Sequence, residues 1–473
     1  MSRTYKTVDY QATLDVAVRL GDCLPPDHLA RFVVDAITQL DLSAIYARYG
    51  SRGGEPYAPE LLVGLLFYGY ATGVFSSRKI ERATYESAPF RFIAGNLHPD
   101  HDTLASFRKT FLPNLKALFV EILLLARMVG VLQLGTVSLD GSKIHADASK
   151  SNAVSYKRLL EIKAKLEAEV AELLALGEQA DRGKLPDGLV VSDEVGLRRA
   201  RLSRLAEAKA VIEARAKERD VQEQAAYEAK VGEREEKARK SGRKPRGRGP
   251  TPPTAGPRDK DQYNFTDPDS RIMKNSTDQG FDQHYNVQVA VTQDNLLVVG
   301  ESLSNHPNDQ AEAEPTVDSI PTELGKPEAA ALDNGFFSQA NIAAFASRGI
   351  EPYIATGRDS HNQSWQERFA AEPTPPPEDA SAKVKMAYKL KTEIGKAIYA
   401  ARKSTVEPVI GIIKEVLGFR QFSLRGEVAA AGEWCLVCLA FNLKRLHSLT
   451  SGRLLSDMLR LAPVELRVEL SYV

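Results

Sequence analysis

Three acidic residues far apart along the chain, Asp140, Asp333 and Glu407, are of the type that can do metal-assisted chemistry on phosphate esters. Asp140 closes the β-type run Thr136-Val137-Ser138-Leu139-Asp140, and Asp333 closes Ala329-Ala330-Ala331-Leu332-Asp333. Glu407 precedes Pro408, which predicts a place in the first turn of a helix. Singly, each acid has an ordinary structural reading. Asp140-Gly141 and Asp333-Asn334-Gly335 are turn signatures, and an acid near a helix start complements the dipole. Together, two acids at strand ends and one on a later helix form the arrangement needed to hold two divalent cations. Hard Mg²⁺ takes oxygen ligands in octahedral geometry, a few of them carboxylates. Two ions about 4 Å apart can activate a nucleophile on one side of a phosphodiester and stabilise the leaving oxygen on the other.

The surroundings of Glu407 fit that chemistry. Gly411 and Lys414 follow at helical spacing, so one face would carry an acid, a gap in side-chain bulk and a cation. Tyr399 and Arg402 precede an expected break at Ser404-Thr405 and could hold DNA from the neighbouring turn. The alternative is an amphipathic helix with an exposed lysine. Asp147 ranks below Asp140, because on a continuous strand it would face the other way. His145 and His284 are possible metal ligands, although a lone strand histidine is more often structural. Cys435-x2-Cys438 lies in an apolar helix without a second ligand pair, so packing is its simplest role. The chain has no Gly-x4-Gly-Lys-Ser/Thr loop, so ATP is not implied.

These residues need a sheet to carry them. Gly141-Ser142 reads as a turn, with Lys143-Ile144-His145-Ala146 as a continuation of the first strand. Pairing should resume only at 284–292, where Tyr285, Val287, Val289 and Val291 alternate with Asn286, Gln288 and Ala290. Further strands are expected at 296–302, 329–333 and 350–355, with a helix over 338–348. This mixed order predicts an α+β fold with a mixed sheet.

The first 130 residues read as all-helical. Leu29, Phe32, Val33 and Ile37 mark one helix; others follow Pro59 and cover 77–86. Asp102-Thr103 should open another, and Pro113 should start a long apolar helix ending near Gly130. With Arg78, Lys79, Arg82, Arg91, Arg108 and Lys109, such a bundle suits DNA binding, or equally any small helical domain.

Between the first strand and its partners lies a long intrusion. Leu159, Ile162, Leu166, Val170 and Leu173 form a coiled-coil-like stripe, and after the turn from Gly183 to Gly188 the chain returns through Leu202, Leu205 and Ile212. An antiparallel helical hairpin is the simplest structure. Residues 237–248 then carry Lys237, Arg239, Lys240, Arg243, Lys244, Arg246 and Arg248 with no acid. That stretch is either a solvated linker or an arm that tracks phosphates and weakens with salt. A breaker cluster, Pro373 to Pro377, precedes the C-terminal helices. The expected division is a helical N-terminal domain (1–132), a sheet core (133–147 with 283–448), an inserted helical hairpin (148–236), a basic linker returning to the core (237–282) and a C-terminal tail (449–473).

Composition sets the bounds. The chain has 473 residues, 43% hydrophobic and 26% charged, enough for several domains with real cores. Lys+Arg and Asp+Glu both number 62, so a polyanionic partner must be argued from local charge. Three cysteines are too few for a disulfide framework and fit a reducing cytoplasm. Met1 to Lys6 leads into no apolar stretch, and the greasiest runs are too short to span a bilayer, so neither a secretory signal nor a membrane is expected.

Tyr399-x2-Arg402-x4-Glu407-x6-Lys414 resembles the Tyr-Arg-Glu-Lys signature of DDE transposases from bacterial insertion sequences, whose pattern has one residue fewer between Arg and Glu. Leu139-Asp140-Gly141-Ser142-Lys143 and Leu332-Asp333-Asn334-Gly335-Phe336 resemble the segments of that family's first and second catalytic Asp. Asp269-Ser270-Arg271, His284-Tyr285-Asn286-Val287-Gln288 and the stretch from Pro99 through Arg108 also resemble family sequence.

The resemblance implies a ribonuclease H-like core in which Asp140, Asp333 and Glu407 bind two Mg²⁺ ions, with Mn²⁺ as a substitute. Tyr399, Arg402 and Lys414 would contact DNA. Water would cut at the element's end to expose a 3′-hydroxyl, which would then attack target DNA. The implied partners are double-stranded DNA, as terminal inverted repeats and target, and a second copy of the chain on that DNA; the implied setting is the cytoplasm, at the nucleoid. Two other readings stand beside this one: a catalytically silent DNA-binding descendant, and a stand-alone metal-dependent nuclease.

Overall fold

The structure, a computed structural model, describes residues 19–49, 55–179, 186, 188–242, 247–275, 280–357 and 374–461. Met1 to Lys6, Arg243, Lys244 and Arg246 lie outside the described residues, as do most of the Gly183 to Gly188 turn, Pro373 and the end of the expected C-terminal tail.

Six helices come first: α1 (Leu29–Ile37), α2 (Ser43–Tyr46), α3 (Pro59–Ala71), α4 (Ser77–Glu86), α5 (Ala88–Ile93) and α6 (His101–Met128). Strand β1 (Thr136–His145) leads to β2 (Ala153–Ser155), α7 (Tyr156–Gln179), α8 (Val191–Ser241), β3 (Gln262–Asn264) and β4 (Arg271–Lys274). Then come β5 (Phe281–Thr292), β6 (Val298–Ser304), α9 (Ala313–Asp318), β7 (Ala329–Leu332), α10 (Gln339–Ser347) and β8 (Glu351–Ile354). The chain continues through α11 (Ala382–Lys389), α12 (Glu393–Gly411), a π-helical turn (Ile412–Val416), α13 (Glu427–Leu449) and α14 (Leu455–Leu461). The chain is thus α+β with a mixed sheet. Among the described residues no helix is long and apolar enough to cross a membrane.

Two compact units divide the chain: residues 1–146 with 284–473, and residues 147–283. In the first, the strands run β6-β5-β1-β7-β8. β5 is antiparallel to both β6 and β1, whereas β1, β7 and β8 are parallel. Ala329 to Leu332 of β7 are all buried, as a central parallel strand covered on both faces requires. Its small alanines let helices approach closely. The helices of residues 29–128 belong to this same unit. Glu433 on α13 is fully buried and accepts hydrogen bonds from Tyr70 Oη of α3 (2.8 Å) and from the Ser423 and Leu424 backbone, while Arg108 of α6 donates to Tyr70. This network ties the first helices to the last long one.

The second unit is built on α7 and α8. Tyr156 meets Glu213 at one end and Glu169 meets Arg198 further along, so the two helices are antiparallel. Leu159, Leu166, Leu205, Ala208 and Ile212 fill the seam, joined by Ile162 and Leu202. α8 has 51 residues against 24 in α7. At 1.5 Å per residue it is about 76 Å long and runs well past its partner. The returning chain lies along the excess, held by Arg219 on Asp261 and by the Gly256 N–H on Asp220.

Four local expectations are corrected. Gly141-Ser142 is no turn: β1 runs straight through it, because Gly141 is there to pass beneath the Gln288 side chain of β5. The helices expected from Asp102 and from Pro113 are one, α6, capped by Asp100, whose carboxylate accepts the Thr103 N–H at 2.7 Å. An interior proline costs about 3 kcal/mol, and burial of Phe107, Phe111, Leu115 and Leu118 around Pro113 outweighs it. α12 does not break at Ser404-Thr405, whose hydroxyls are satisfied by donating back to the Ala401 carbonyl. Pairing also resumes before 284, since β2 pairs β3 and β4 joins β5. Short polar strands of this kind leave little periodic signal. The basic stretch from Lys237 begins inside α8.

Candidate active site

β1 presents alternate side chains to one helix. Ser138 Oγ is hydrogen-bonded with Thr405 Oγ1 at 2.9 Å, Asp140 accepts from Arg402 at 3.2 Å, and Ser142 Oγ accepts from Lys414 Nζ at 3.1 Å. The two-residue period of the strand therefore meets α12 and the π turn after it. Leu139 pairs with Leu332 in the parallel register of β1 and β7, which brings Asp140 level with Asp333, the residue just past the end of β7. Glu407 lies deep in α12, beyond the first turn expected for it.

Arg402 joins the acids. It is buried, and its guanidinium donates at 3.2 Å both to Asp140 Oδ2 and to Glu407 Oε1. Its Nε is buried without a partner among the described residues. Burial would lower the Arg402 pKa, but the charge of Asp140, then Tyr399, Asp333 and Glu407, raises it overall. Burial pushes Asp140 up to about 6; Arg402 opposes this, whereas the negative charges of Asp333 and Glu407 add to it. The three carboxylates thus share one electrostatic environment. Tyr399 lies under Arg402, with 5.9 Å between guanidinium carbon and ring centroid. Lys414 is half-buried, and burial, aided by Arg420, lowers its pKa. Gly411 has open space where a side chain would be.

The carboxylate oxygens are the hard donors that Mg²⁺ or Mn²⁺ takes. As they stand, no three Asp, Glu, His or Cys among the described residues are grouped closely enough to hold one ion, and the Arg402 guanidinium lies between two of the acids. His145 and His284, each read singly from sequence, are cross-strand partners with ring centroids 4.3 Å apart. Cys435 and Cys438 are buried in α13. Asp147 falls in the other unit.

Sequence reading passed over a neighbouring polar cluster. Gln288 and Asn286 on β5 are both buried, and both donate to Asp309 Oδ1 at 2.8 Å. The available signal was two amides at alternate positions among the apolar residues of 285–291.

Comparison with known proteins gives two matches to family models. Residues 18–110, from before α1 into the first part of α6, match a transposase domain (DUF772). Residues 370–447, which carry Tyr399, Arg402, Glu407 and Lys414, match a transposase DDE domain. β1 and β7, with Asp140 and Asp333, lie between the two matches. Neither the curated proteins nor the solved structures yield a match. Two transposase models, matched in this order on one chain, indicate an insertion-sequence DDE transposase.

Proposed function

We propose that this transposase binds the terminal repeats of its insertion sequence, cuts the DNA there and joins the freed 3′ ends to target DNA, with Asp140, Asp333 and Glu407 as the catalytic acids on a ribonuclease H-like core. The observation that carries this reading is the meeting of the acids at buried Arg402, which bridges Asp140 and Glu407 at 3.2 Å while the β1–β7 register sets Asp333 level with Asp140. A strand order of β6-β5-β1-β7-β8, with the first three antiparallel and the rest parallel, supports the core assignment.

Asp140, Asp333 and Glu407 would hold two divalent ions, Mg²⁺ or Mn²⁺. Bound there, the ions would supply Lewis-acid activation of the nucleophile and neutralise charge on the phosphate. Buried Arg402 compensates the acids in the absence of other cations, and could exchange a carboxylate for a phosphate oxygen when DNA arrives. Lys414, fixed on Ser142, and Tyr399 would hold the backbone beside the cut. Both steps are in-line displacements, in which positioning contributes much of the rate. Two ends must be held together, so a homodimer on DNA in the cytoplasm, at the nucleoid, is part of the proposal.

The test incubates purified full-length protein and Mg²⁺ with DNA bearing the element's inverted repeats. End-specific 3′ cleavage and joined products are expected, and Asp333→Ala should lower both by more than about 100-fold, beyond the range for residues that only support a metal ligand. Binding without cleavage in the parent protein would instead favour the silent descendant; cutting without end preference would favour a simple nuclease.

A further inference from the structure

Main-chain pairing of β1 with β7 ends at Leu139 and Leu332, so the segment that carries Asp333 beyond it must be fixed by other contacts. Asp140 Oδ1 accepts the N–H of Gly141 at 2.9 Å, and Asp333 Oδ1 accepts the N–H of Gly335 at 2.7 Å. Each carboxylate is thus anchored to the glycine that follows it, so the placement of Gly141 and Gly335 decides where the acids point. On β5, Gln288 is fully buried and lies directly over Gly141, where even a methyl group would stand 2.2 Å from Gln288 Nε2. That amide donates to Asp309 Oδ1 at 2.8 Å, and Asn286 does the same. The second oxygen of Asp309 faces Gly335, 3.8 Å from where a Cβ would be. Buried Asn341 closes the loop by donating to the carbonyls of both Gln310 and Phe336, which joins the Asp309 segment to the turn after Asp333.

Gln288 Oε1 is buried and has no partner among the described residues. Leaving such an acceptor unpaired in a core costs stability, and groups kept at that cost are often there for the site they support. Gly141 therefore packs under Gln288, Gln288 is bonded to Asp309, and Asp309 stands beside Gly335, on the face of β1 opposite Asp140 and Arg402.

We propose that Gln288 and Asp309 are positioning residues of the carboxylate site, a brace that sets the distance between the Asp140 and Asp333 segments and so the affinity for divalent ions. This rests on the reading that those acids bind metal. It assigns roles to two residues outside the acid triad and outside its Tyr, Arg and Lys companions.

The test measures Mn²⁺ binding to full-length protein by calorimetry, alongside the metal-free melting temperature. Four variants are compared with the parent: Gln288→Ala, Asp309→Ala, Asp309→Asn and Asp140→Asn. Asp309→Ala and Gln288→Ala should weaken Mn²⁺ binding by about 10- to 100-fold, the usual effect of removing a group that orients a metal ligand. Asp309→Asn keeps one oxygen for both amides and should stay within about threefold of the parent, a rescue that general destabilisation would not produce. Parent-like affinity in Asp309→Ala and Gln288→Ala, with Asp140→Asn defective, overturns the brace and leaves the metal site standing. Affinity that simply follows the loss of melting temperature, with Asp309→Asn as weak as Asp309→Ala, also overturns it. A parent protein that binds no Mn²⁺ overturns both readings together.

Discussion

Asp140 carries a cost for its position. Its carboxyl is held up near 6 because burial penalises the ionised form more than Arg402 relieves it. An acid whose pKa is raised by folding contributes stability below its unfolded value near 3.8, and that contribution is lost as pH rises through about 6. At neutral pH the charged form is therefore a burden. Asp140→Asn keeps the shape and removes the charge, so the metal-free protein should gain on the order of 1–3 kcal/mol at pH 7.5. Mg²⁺-dependent cleavage should fall by more than about 100-fold in the same variant. Denaturant unfolding and a cleavage assay, run together, check both halves; a variant that loses stability would show that the ion pair with Arg402 outweighs the desolvation. The three candidate acids stand out in the sequence because each ends an apolar run or flanks a proline. The bridging of Asp140 and Glu407 by Arg402 was not, since helix α12 places Arg402 by tertiary packing that no local pattern records. Gly141 was misread for the same reason: its partner, Gln288, is remote in sequence.

Among the elements, β6 shows how a sheet stores a pH response away from the acids. Glu301 sits in the middle of that strand, paired in register with Val289, and is only 7% exposed. Burial raises its pKa to about 7, against the weaker opposing effects of Lys116, 4.0 Å away on α6, and the Cys435 thiol on α13. The sign follows as for any acid raised by folding. Stability is full below the unfolded value of 4.5 and falls as pH climbs to about 7, above which the curve is flat. The loss should be on the order of 3 kcal/mol. Melting curves from pH 4.5 to 8 should show this decline in the parent and a much shallower one in Glu301→Gln; equal slopes would mean that Glu301 does not titrate in this range. Elements as such were legible where apolar runs were long. β7, β8 and α10 fall close to their expected bounds. α6 was read as two helices because Pro113 is a strong local signal, and the surfaces that bury Phe107, Phe111, Leu115 and Leu118 around it lie elsewhere in the chain. β2, β3 and β4 are three or four residues long and half polar, too short for any period to emerge.

At the scale of the whole molecule, the chain leaves one compact unit at Ala146 and re-enters it at His284. The exit and entry points are neighbours, because His145 and His284 are register partners on antiparallel β1 and β5. Residues 147–283 could thus be replaced by a tight turn without moving either strand, since antiparallel neighbours need only a short connection. The excised unit has its own seam of Leu159, Leu166, Leu205, Ala208 and Ile212, closed by ion pairs such as Glu169 with Arg198. The core unit in turn keeps the Tyr70–Glu433 link, which spans 363 residues of sequence but does not pass through the insert's structure. This division was legible from the heptad-like stripe and the return of β patterning near 284. The packing of the first helices with α13 was not, because it depends on contacts between the two ends of the chain, with Phe32 against His447, Gly432 beside Leu112 and Tyr70 bonded to Glu433. Replacing 147–283 by a short Asn-Gly turn should yield a folded core with a single cooperative transition, its melting temperature within about 5 °C of the parent's main transition. The acids and Arg402 all remain in that core, so Mn²⁺ binding should persist. Circular dichroism and calorimetry on the shortened protein decide the matter. A molten or aggregating product would mean that the inserted unit is required to close the sheet, whereas a folded core that binds Mn²⁺ but no longer joins DNA would assign the insert to the handling of DNA and leave the metal site to β1, β7 and α12.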